Sequence, residues 1–141
     1  RREHTMMIST KGRYALRVML DLADQTKGSY IPLKDIAHRQ EISVKYLENI
    51  LASLSRAGLV EAIRGKGGGY RLPRKPEEYT AREILEVTEG GLVPVNCACL
   101  TKGEECKRSG LCPSLPVWQK LDKLIYDYLD SVSLSDLISK E

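Results

Sequence analysis

The sequence lacks any apolar run of about 18 residues, the length that a membrane-spanning helix needs. Its first seven residues contain no apolar segment of signal-peptide length, and Met6 and Met7 are candidate natural starts. Histidine is scarce, with two residues in 141, and no acid–base pair stands in a recognisable catalytic arrangement. We therefore expect a cytoplasmic protein without a membrane anchor, and we do not expect an enzyme.

The glycine patterns of nucleotide-binding loops are also missing. The glycine-rich stretch at residues 64–71 does not complete G-x-G-x-x-G, because Tyr70 stands where the third glycine would be. No G-x-x-x-x-G-K-[ST] segment is present either. The glycines of this stretch instead predict a tight hairpin turn whose backbone can approach a ligand closely.

Charge is divided unevenly along the chain. Residues 1–75 contain 15 Lys/Arg and 7 Asp/Glu, a net charge of +8, whereas residues 76–141 carry −5. The composition is otherwise ordinary for a globular protein, with 42% hydrophobic and 29% charged residues. A basic first half and an acidic second half indicate that the first half contacts a polyanion, of which double-stranded DNA is the candidate.

Three short helices and a hairpin are predicted in the first half. Thr10 is the candidate N-cap of the first helix, Pro32 opens the second, and Ser43 caps the third, which Gly58 ends. Apolar residues at helical spacing predict the inner faces, which are Ala15, Val18, Met19 and Leu22 in the first helix and Leu47, Ile50, Leu51 and Leu54 in the third. Strand-like segments at 59–63 and 70–72 flank the glycine-rich turn. This order predicts a winged helix-turn-helix domain.

The third helix turns a polar face outward near its N-terminus, where a recognition helix contacts base edges. Asn49 can bond adenine, Glu48 can accept from the cytosine amine, and Lys45 can bond guanine or phosphate. Arg64 and Lys66 place positive charge on the hairpin, which suits the minor groove. Together these residues predict a surface that recognises DNA.

The second half of the chain is predicted to regulate DNA binding and to form the dimer. Thr80 and Glu83 form a capping box that starts a helix ended by Gly90 and Gly91. A long helix from about residue 117 to 131 has an apolar stripe, Val117, Leu121, Leu124, Ile125, Tyr128 and Leu129, and its length favours a partner helix. A short helix follows at 134–138.

The expected organisation is a DNA-binding domain at 7–75, a linking helix and cysteine-rich loop at 76–116, and a dimerisation helix with the short helix at 117–141. The predicted fold class is mainly α with a small β-hairpin wing.

Four cysteines lie within 16 positions: Cys97, Cys99, Cys106 and Cys112. Without a secretion signal, metal binding or redox sensing is favoured over a disulfide framework. Thiolates hold both iron–sulfur clusters and zinc, but the C-x-C and the two longer gaps differ from the paired knuckles of zinc modules. An iron–sulfur cluster, a thiol or disulfide switch, and zinc all remain open from the residues alone.

Several motifs resemble the IscR–NsrR–CymR family of bacterial regulators (the Rrf type), especially its IscR-like members. They are the segments at 8–16, 42–48, 57–60 and 64–70, and the resemblance spans about residues 7–138. It implies a homodimeric winged-helix transcription factor with the third helix in the major groove and the wing in the minor groove. It places base contacts on Lys45, Glu48 and Asn49, a wing contact on Arg64, and backbone support on Ser9, Thr10, Lys11 and Tyr46. The candidate DNA-binding set also includes the cap and the wing, namely Ser43, Lys66, Gly67, Gly68 and Tyr70.

The resemblance further implies that three cysteines hold an iron–sulfur cluster, expected as [2Fe–2S] with [4Fe–4S] as the alternative. Cys106 and Cys112 would be two ligands, and either Cys97 or Cys99 the third. One subfamily has a histidine where this chain has Leu115, and another has an aspartate near the position of Arg13. The fourth-ligand candidates are therefore the spare cysteine, Glu104, Glu105, His4 or no protein group. The alternative is a cluster-free regulator of sulfur metabolism, controlled by a partner protein or by thiol oxidation.

Overall fold

The computed structural model describes residues 8–25, 29–91 and 113–138. In this part of the chain the helices are α1 (Thr10–Gln25), α2 (Leu33–Gln40), α3 (Val44–Arg56), α4 (Ala81–Glu89), α5 (Leu115–Asp130) and α6 (Leu134–Ile138). Strands β1 (Glu61–Ile63) and β2 (Gly69–Arg71) follow α3, and a 3₁₀ turn, Pro76–Glu78, precedes α4. The predicted fold class, a mainly helical winged helix-turn-helix domain with a long C-terminal helix, is confirmed.

The core forms where α1, α2 and α3 meet. The predicted inner faces of α1 and α3 are fully buried: Ala15, Val18, Met19, Leu22, Leu47, Ile50, Leu51 and Leu54 have no exposed surface. Burying a side chain of the size of leucine stabilises a fold by roughly 1.5–3 kcal/mol. These residues therefore fix the angle between α1 and α3, and with it the direction in which the outer face of α3 points.

The C-terminal elements complete this core. Ile84 of α4 and Leu134 of α6 are fully buried in the same cluster as the residues of α1 and α3. Backbone hydrogen bonds from Ala81 N–H to Val132 O (2.8 Å) and from Leu134 N–H to Tyr79 O (3.1 Å) join the start of α4 to the start of α6. The segment that carries α5 is thereby attached at its end to the DNA-binding half of the chain.

The predicted N-cap of the third helix is confirmed, and that of the first helix is not. Ser43 caps α3 as expected, since its Oγ accepts from Tyr46 N–H at 3.2 Å, and Gly58 follows the helix with φ +80°. The prediction that Thr10 caps α1 is wrong, because Thr10 is already the first residue of the helix. Ser9 takes that role, because its Oγ accepts from Gly12 N–H at 3.1 Å and its carbonyl accepts from Arg13 N–H at 3.0 Å. Two adjacent hydroxyl residues made the choice ambiguous in the sequence.

The capping box of α4 is realised in one direction. Thr80 Oγ1 accepts from Glu83 N–H at 3.1 Å, as predicted. The Glu83 carboxylate, however, accepts from Arg74 Nη2 at 2.9 Å. Arg74 also lies over the Tyr79 ring, 4.2 Å from its centroid. The segment between wing and α4 is therefore held by side-chain contacts.

Candidate nucleic-acid interface

The outer face of α3 carries exposed polar side chains at its N-terminal end. Lys45, Glu48 and Asn49 are exposed, while Leu47 between them is buried in the core and Tyr46 is half-buried. Ser43, Lys45, Tyr46 and Asn49 line an open groove of about 410 Å³. The hydroxyl of Ser43 is engaged as the helix cap, so the side chains that project freely from this face are the lysine, the glutamate and the asparagine. Donors and acceptors of these types match the edges of base pairs in the major groove.

Tyr46 supports this face from the side. Its ring is half-buried and meets the ring of Tyr14 edge-on, with centroids 5.9 Å apart and an interplanar angle of 69°. The guanidinium carbon of Arg17 lies over the Tyr14 ring, 4.9 Å from its centroid. Such aromatic pairs contribute about 0.5–1.5 kcal/mol beyond the area they bury. Tyr46 therefore fixes α3 against α1 at the height of the polar face.

The wing is a tight hairpin with an exposed cationic tip. β1 and β2 are antiparallel, with Glu61 opposite Arg71 and Ile63 opposite Gly69. Arg64 and Lys66 are exposed, and neither forms an ion pair within the described residues. Gly67 has φ +77°, a conformation that side chains disfavour, so the turn at the tip depends on glycine there. Among the described residues, the wing thus presents two positive charges without a carboxylate partner on a short hairpin.

The return strand of the wing is anchored to the segment before α2. Tyr70 and Ile31 exchange two backbone hydrogen bonds of 2.8 Å, and the half-buried Tyr70 side chain packs against the core. A Cβ on Gly69 would lie 2.2 Å from the Ile31 carbonyl oxygen, so this close approach requires glycine. The structure places Tyr70 at the base of the wing, and the turn residues Gly67 and Gly68 at its tip.

An ion pair crosses the base of the wing. Arg71 Nε donates to Glu61 Oε1 at 2.8 Å, and the Tyr30 hydroxyl donates to the same oxygen at 3.3 Å. The hydrogen bond from Arg71 lowers the pKa of Glu61 below its ordinary value. Arg71 also lies over the Tyr30 ring at 4.6 Å. These contacts orient the wing without using the charges at its tip.

The N-terminus of α1 is held from two sides. Ser9 donates through both N–H (3.0 Å) and Oγ (2.8 Å) to Glu89 Oε2 at the end of α4. The approach is close, since a Cβ on Gly12 would lie 2.1 Å from the same oxygen. On the other side Lys11 Nζ donates to Ser53 Oγ of α3 at 3.0 Å. Thr10 is exposed, and its hydroxyl accepts from Arg13 Nη2 at 3.2 Å. Lys11 therefore contacts α3, and both the backbone N–H and the hydroxyl of Ser9 are hydrogen-bonded to α4.

Sequence reasoning missed Ser53, Arg56 and Glu89 as parts of this surface. Ser53 accepts from Lys11 and also from Arg56 Nη2, at 3.4 Å. The spacing of Asn49, Ser53 and Arg56 puts them on one side of a helix and was a usable signal. Glu89 gave no such signal, because its partner Ser9 is 80 positions away in the chain.

The predicted metal ligands lie outside the described residues. This applies to Cys97, Cys99, Cys106 and Cys112, and to the fourth-ligand candidates Glu104, Glu105 and His4. Within residues 8–25, 29–91 and 113–138, no group of three or more His, Cys, Asp or Glu side chains is placed to hold a metal ion. Leu115 is the first residue of α5, so the long helix begins three residues after Cys112.

No helix among the described residues is long and apolar enough to cross a membrane.

Comparisons with known proteins agree with this geometry. A family model, Rrf2, described as an iron-dependent transcriptional regulator, matches residues 8–140. The transcriptional regulator IscR of Aliivibrio salmonicida is 37% identical over 134 residues, which cover 94% of this chain and 77% of that protein. The solved structure of T. potens IscR matches with a TM-score of 0.75 and 36% identity, covering 94% of this chain and 85% of that one. The structure of CymR, the global cysteine regulator of B. subtilis, matches with a TM-score of 0.77 and 38% identity, covering 97% and 99%.

Proposed function

Because the chain belongs to the Rrf2 family of transcriptional regulators, we propose that it binds a specific DNA site as a homodimer, with α3 in the major groove and the wing in the minor groove. The observation that carries this proposal is the exposed face of Lys45, Glu48 and Asn49 beside a wing whose two cations have no acidic partner in the described chain. Base-edge donors and acceptors give sequence choice, and the wing charges add affinity for the narrow groove.

The test is selection of a binding site from randomised duplexes with the full chain, followed by gel-shift titration. We expect a recurring, roughly palindromic sequence, because a two-fold symmetric dimer presents two identical surfaces. Arg64→Ala should weaken binding to that site by about 1–3 kcal/mol. The control is Lys120→Ala, which removes an exposed positive charge from α5, outside the proposed DNA-binding residues. Recovery of no preferred sequence, or an Arg64→Ala effect no larger than that of the control, would reject the proposed surface.

The homodimer is supported by an apolar stripe on α5 that is exposed in the described part of the chain. Its members are four apolar or aromatic residues at spacings of three and four: Val117 (57% exposed), Leu121 (37%), Leu124 (52%) and Tyr128 (66%). The other side of α5 contacts α4, where Arg82 Nε donates to Asp130 Oδ1 at 2.7 Å. A stripe of this length and period fits against an identical helix of a second copy.

The cofactor that we propose for the cysteine segment is an iron–sulfur cluster held by Cys106, Cys112 and either Cys97 or Cys99. Support comes from the donor set, since thiolates are the usual ligands of such clusters, and from the similarity to IscR. When bound, the cluster would supply one-electron redox chemistry and sensitivity to nitric oxide and iron–sulfur status. Leu115 and Arg13 cannot complete the ligand set, because neither side chain is a cluster ligand. Cytoplasmic location is part of the same proposal, because free thiolates persist in a reducing compartment.

The second candidate is a regulator without a cluster, controlled by thiol oxidation or by a partner protein. It is favoured by the similarity to CymR, which covers 97% of this chain and 99% of that one. Anaerobic purification followed by an absorption spectrum and iron and sulfide analysis separates the two. Visible absorption with stoichiometric iron and sulfide supports the cluster, and a colourless, iron-free protein that still binds its site supports the alternative. Equal DNA affinity with and without the cluster would remove the sensing role but leave DNA binding intact.

A further inference from the structure

Two cations meet at one hydroxyl near the C-terminal end of α3. Lys11 Nζ donates to Ser53 Oγ at 3.0 Å, and Arg56 Nη2 donates to the same oxygen at 3.4 Å. The Ser53 hydroxyl donates in turn to the Asn49 carbonyl oxygen at 3.4 Å. Its proton is therefore directed along the helix, and its lone pairs face the two cations. We call Lys11, Ser53 and Arg56 the basic cluster.

No carboxylate among the described residues offsets the positive charge of the basic cluster. Among the described residues, several other cations contact a carboxylate at 2.6–2.9 Å, namely Arg39, Arg71, Arg74, Arg82 and Lys123. Lys11 and Arg56 have no carboxylate partner in the same set. Two like charges that share one neutral acceptor repel each other, and a bound anion would offset that repulsion.

The cluster continues the surface proposed for base recognition. Lys45, Asn49, Ser53 and Arg56 follow one another at spacings of four, four and three residues, which places them along one side of α3. Arg56 is exposed, and Lys11 reaches this side from the first turn of α1. An anion held there would lie at the far end of the helix from Ser43. A DNA phosphate flanking the bases contacted by α3 has the required charge and place.

We propose that Lys11, Ser53 and Arg56 form a phosphate clamp that fixes the register of α3 on the DNA backbone. This inference rests on the proposed DNA-binding function and adds to it a contact at the end of α3 away from the base-reading residues. The guanidinium and the ammonium supply charge, and Ser53 holds them at a common point. A phosphate contact positions the helix and does not choose bases. The rival explanation is structural, since a cation in the last turn of a helix also interacts favourably with the helix dipole.

The test compares Lys11→Gln, Arg56→Gln and the double variant with the full-length wild-type chain, on the selected duplex and on an unrelated duplex. Each single change should weaken binding to both duplexes by the same factor, and should flatten the slope of log affinity against log salt by about one. Lys120→Gln is the matched control, because it removes one exposed positive charge from α5. The control should leave the slope unchanged.

The outcomes separate the clamp from the proposed function. If the wild-type chain binds no DNA, the proposed function fails and the clamp fails with it. If the wild-type chain binds and the two variants keep its salt slope, only the clamp is rejected. Thermal melting settles the structural rival: a lowered melting temperature with an unchanged slope for Arg56→Gln would mean that this residue stabilises the helix end alone. A flattened slope with wild-type melting supports the clamp.

Discussion

Glu48 is the one acidic residue of α3, and it lies on an outer face that also carries Lys45, Asn49 and Arg56. A carboxylate there repels phosphates and base acceptors, so its contribution is to exclude wrong sequences. We expect Glu48→Ala to relax sequence choice more than it lowers affinity. Repeating the selection with this variant should give a broader set of sites, with binding to unrelated DNA equal to or stronger than that of the wild type.

The control for Glu48→Ala is Glu77→Ala, which removes an exposed negative charge from the 3₁₀ turn before α4. A general effect of net charge would appear in both variants. If the sites selected by Glu48→Ala match those of the wild type, the recognition face has been assigned to the wrong residues.

Gly12 allows the Glu89 carboxylate to lie against the first turn of α1. A Cβ at this position would lie 2.1 Å from Glu89 Oε2 and 3.3 Å from Leu85 Cδ2. The carboxylate would have to move and would lose its two hydrogen bonds from Ser9, worth about 1.5–3 kcal/mol each for a charged acceptor. Alanine in a helix offsets about 1 kcal/mol of that loss. We therefore expect Gly12→Ala to destabilise the wild-type chain, as measured by urea unfolding.

The same substitution should cost less stability once the carboxylate is gone. In a Glu89→Ala background the clash with Oε2 is removed, Leu85 Cδ2 at 3.3 Å must still shift slightly, and the higher helix propensity of alanine, about 1 kcal/mol, offsets that cost. A double-mutant cycle on Gly12 and Glu89 measures this coupling. Additive effects would show that the contact between α1 and α4 does not constrain position 12.

These side chains mark the boundary of what the sequence could predict. Ser43 as a helix cap and the buried face of α3 follow from local spacing, so short segments were enough to find them. The contacts of Lys11 with Ser53 and of Ser9 with Glu89 span 42 and 80 positions, and no local pattern announces them. For the same reason the sequence does not distinguish Ser9 from Thr10 as the cap of α1, because the Glu89 carboxylate that binds Ser9 is distant in the chain.

The hairpin and the fourth helix are joined through Tyr79, a fully buried residue between them. Its hydroxyl donates to the Leu59 carbonyl oxygen at 2.8 Å, just before β1, and accepts from Arg74 N–H at 3.3 Å. Removing the hydroxyl in Tyr79→Phe would leave the Leu59 carbonyl without this donor, at a cost of about 1–3 kcal/mol. We expect this loss in urea unfolding at neutral pH, whereas Tyr126→Phe, which removes the hydroxyl of an exposed tyrosine outside the proposed dimer stripe, should change little.

The Tyr79 contact also predicts a response to alkaline pH. Burial raises the pKa of Tyr79 above its ordinary value, against the opposing effect of the Arg74 hydrogen bond. The unfolded chain therefore loses this phenolic proton first, as pH rises past about 10. The stabilisation by the neutral phenol is complete below that pH and declines as pH rises through the folded pKa. The stability difference between wild type and Tyr79→Phe should shrink over this range. A difference that stays constant would contradict the raised pKa.

Elements with their own local signals were the easiest to predict, and their ends were the hardest. The helices α4 and α6 and the turn of the wing were found from caps, period and glycines. The first strand is shorter than the predicted segment 59–63, since regular pairing begins at Glu61, and the second, Gly69–Arg71, begins one residue before the predicted segment 70–72. The wing owes part of its anchoring to Ile31, which pairs with Tyr70 from outside the hairpin. Pairing between distant segments is a tertiary effect that the sequence pattern does not contain.

The exposed stripe of α5 predicts that two copies of the chain assemble through this helix. Leu124 lies within the stripe and is 52% exposed in the single chain. In a dimer its burial would contribute roughly 1.5–3 kcal/mol, and a carboxylate in its place would be buried without a partner. We expect Leu124→Glu to give monomers in sedimentation equilibrium at concentrations where the wild type is dimeric. Lys120→Gln, an exposed polar change on the same helix, should stay dimeric.

Loss of the dimer should affect DNA binding in a characteristic way. A monomer presents one recognition surface, so Leu124→Glu should lose affinity for the selected palindromic site and bind it no better than a single half-site. Because the substituted side chain lies on α5, away from α3 and the wing, melting of the monomer should keep the cooperative unfolding of the core. A dimeric Leu124→Glu chain would place the interface elsewhere. A monomer that keeps full affinity for the palindrome would separate dimerisation from DNA recognition.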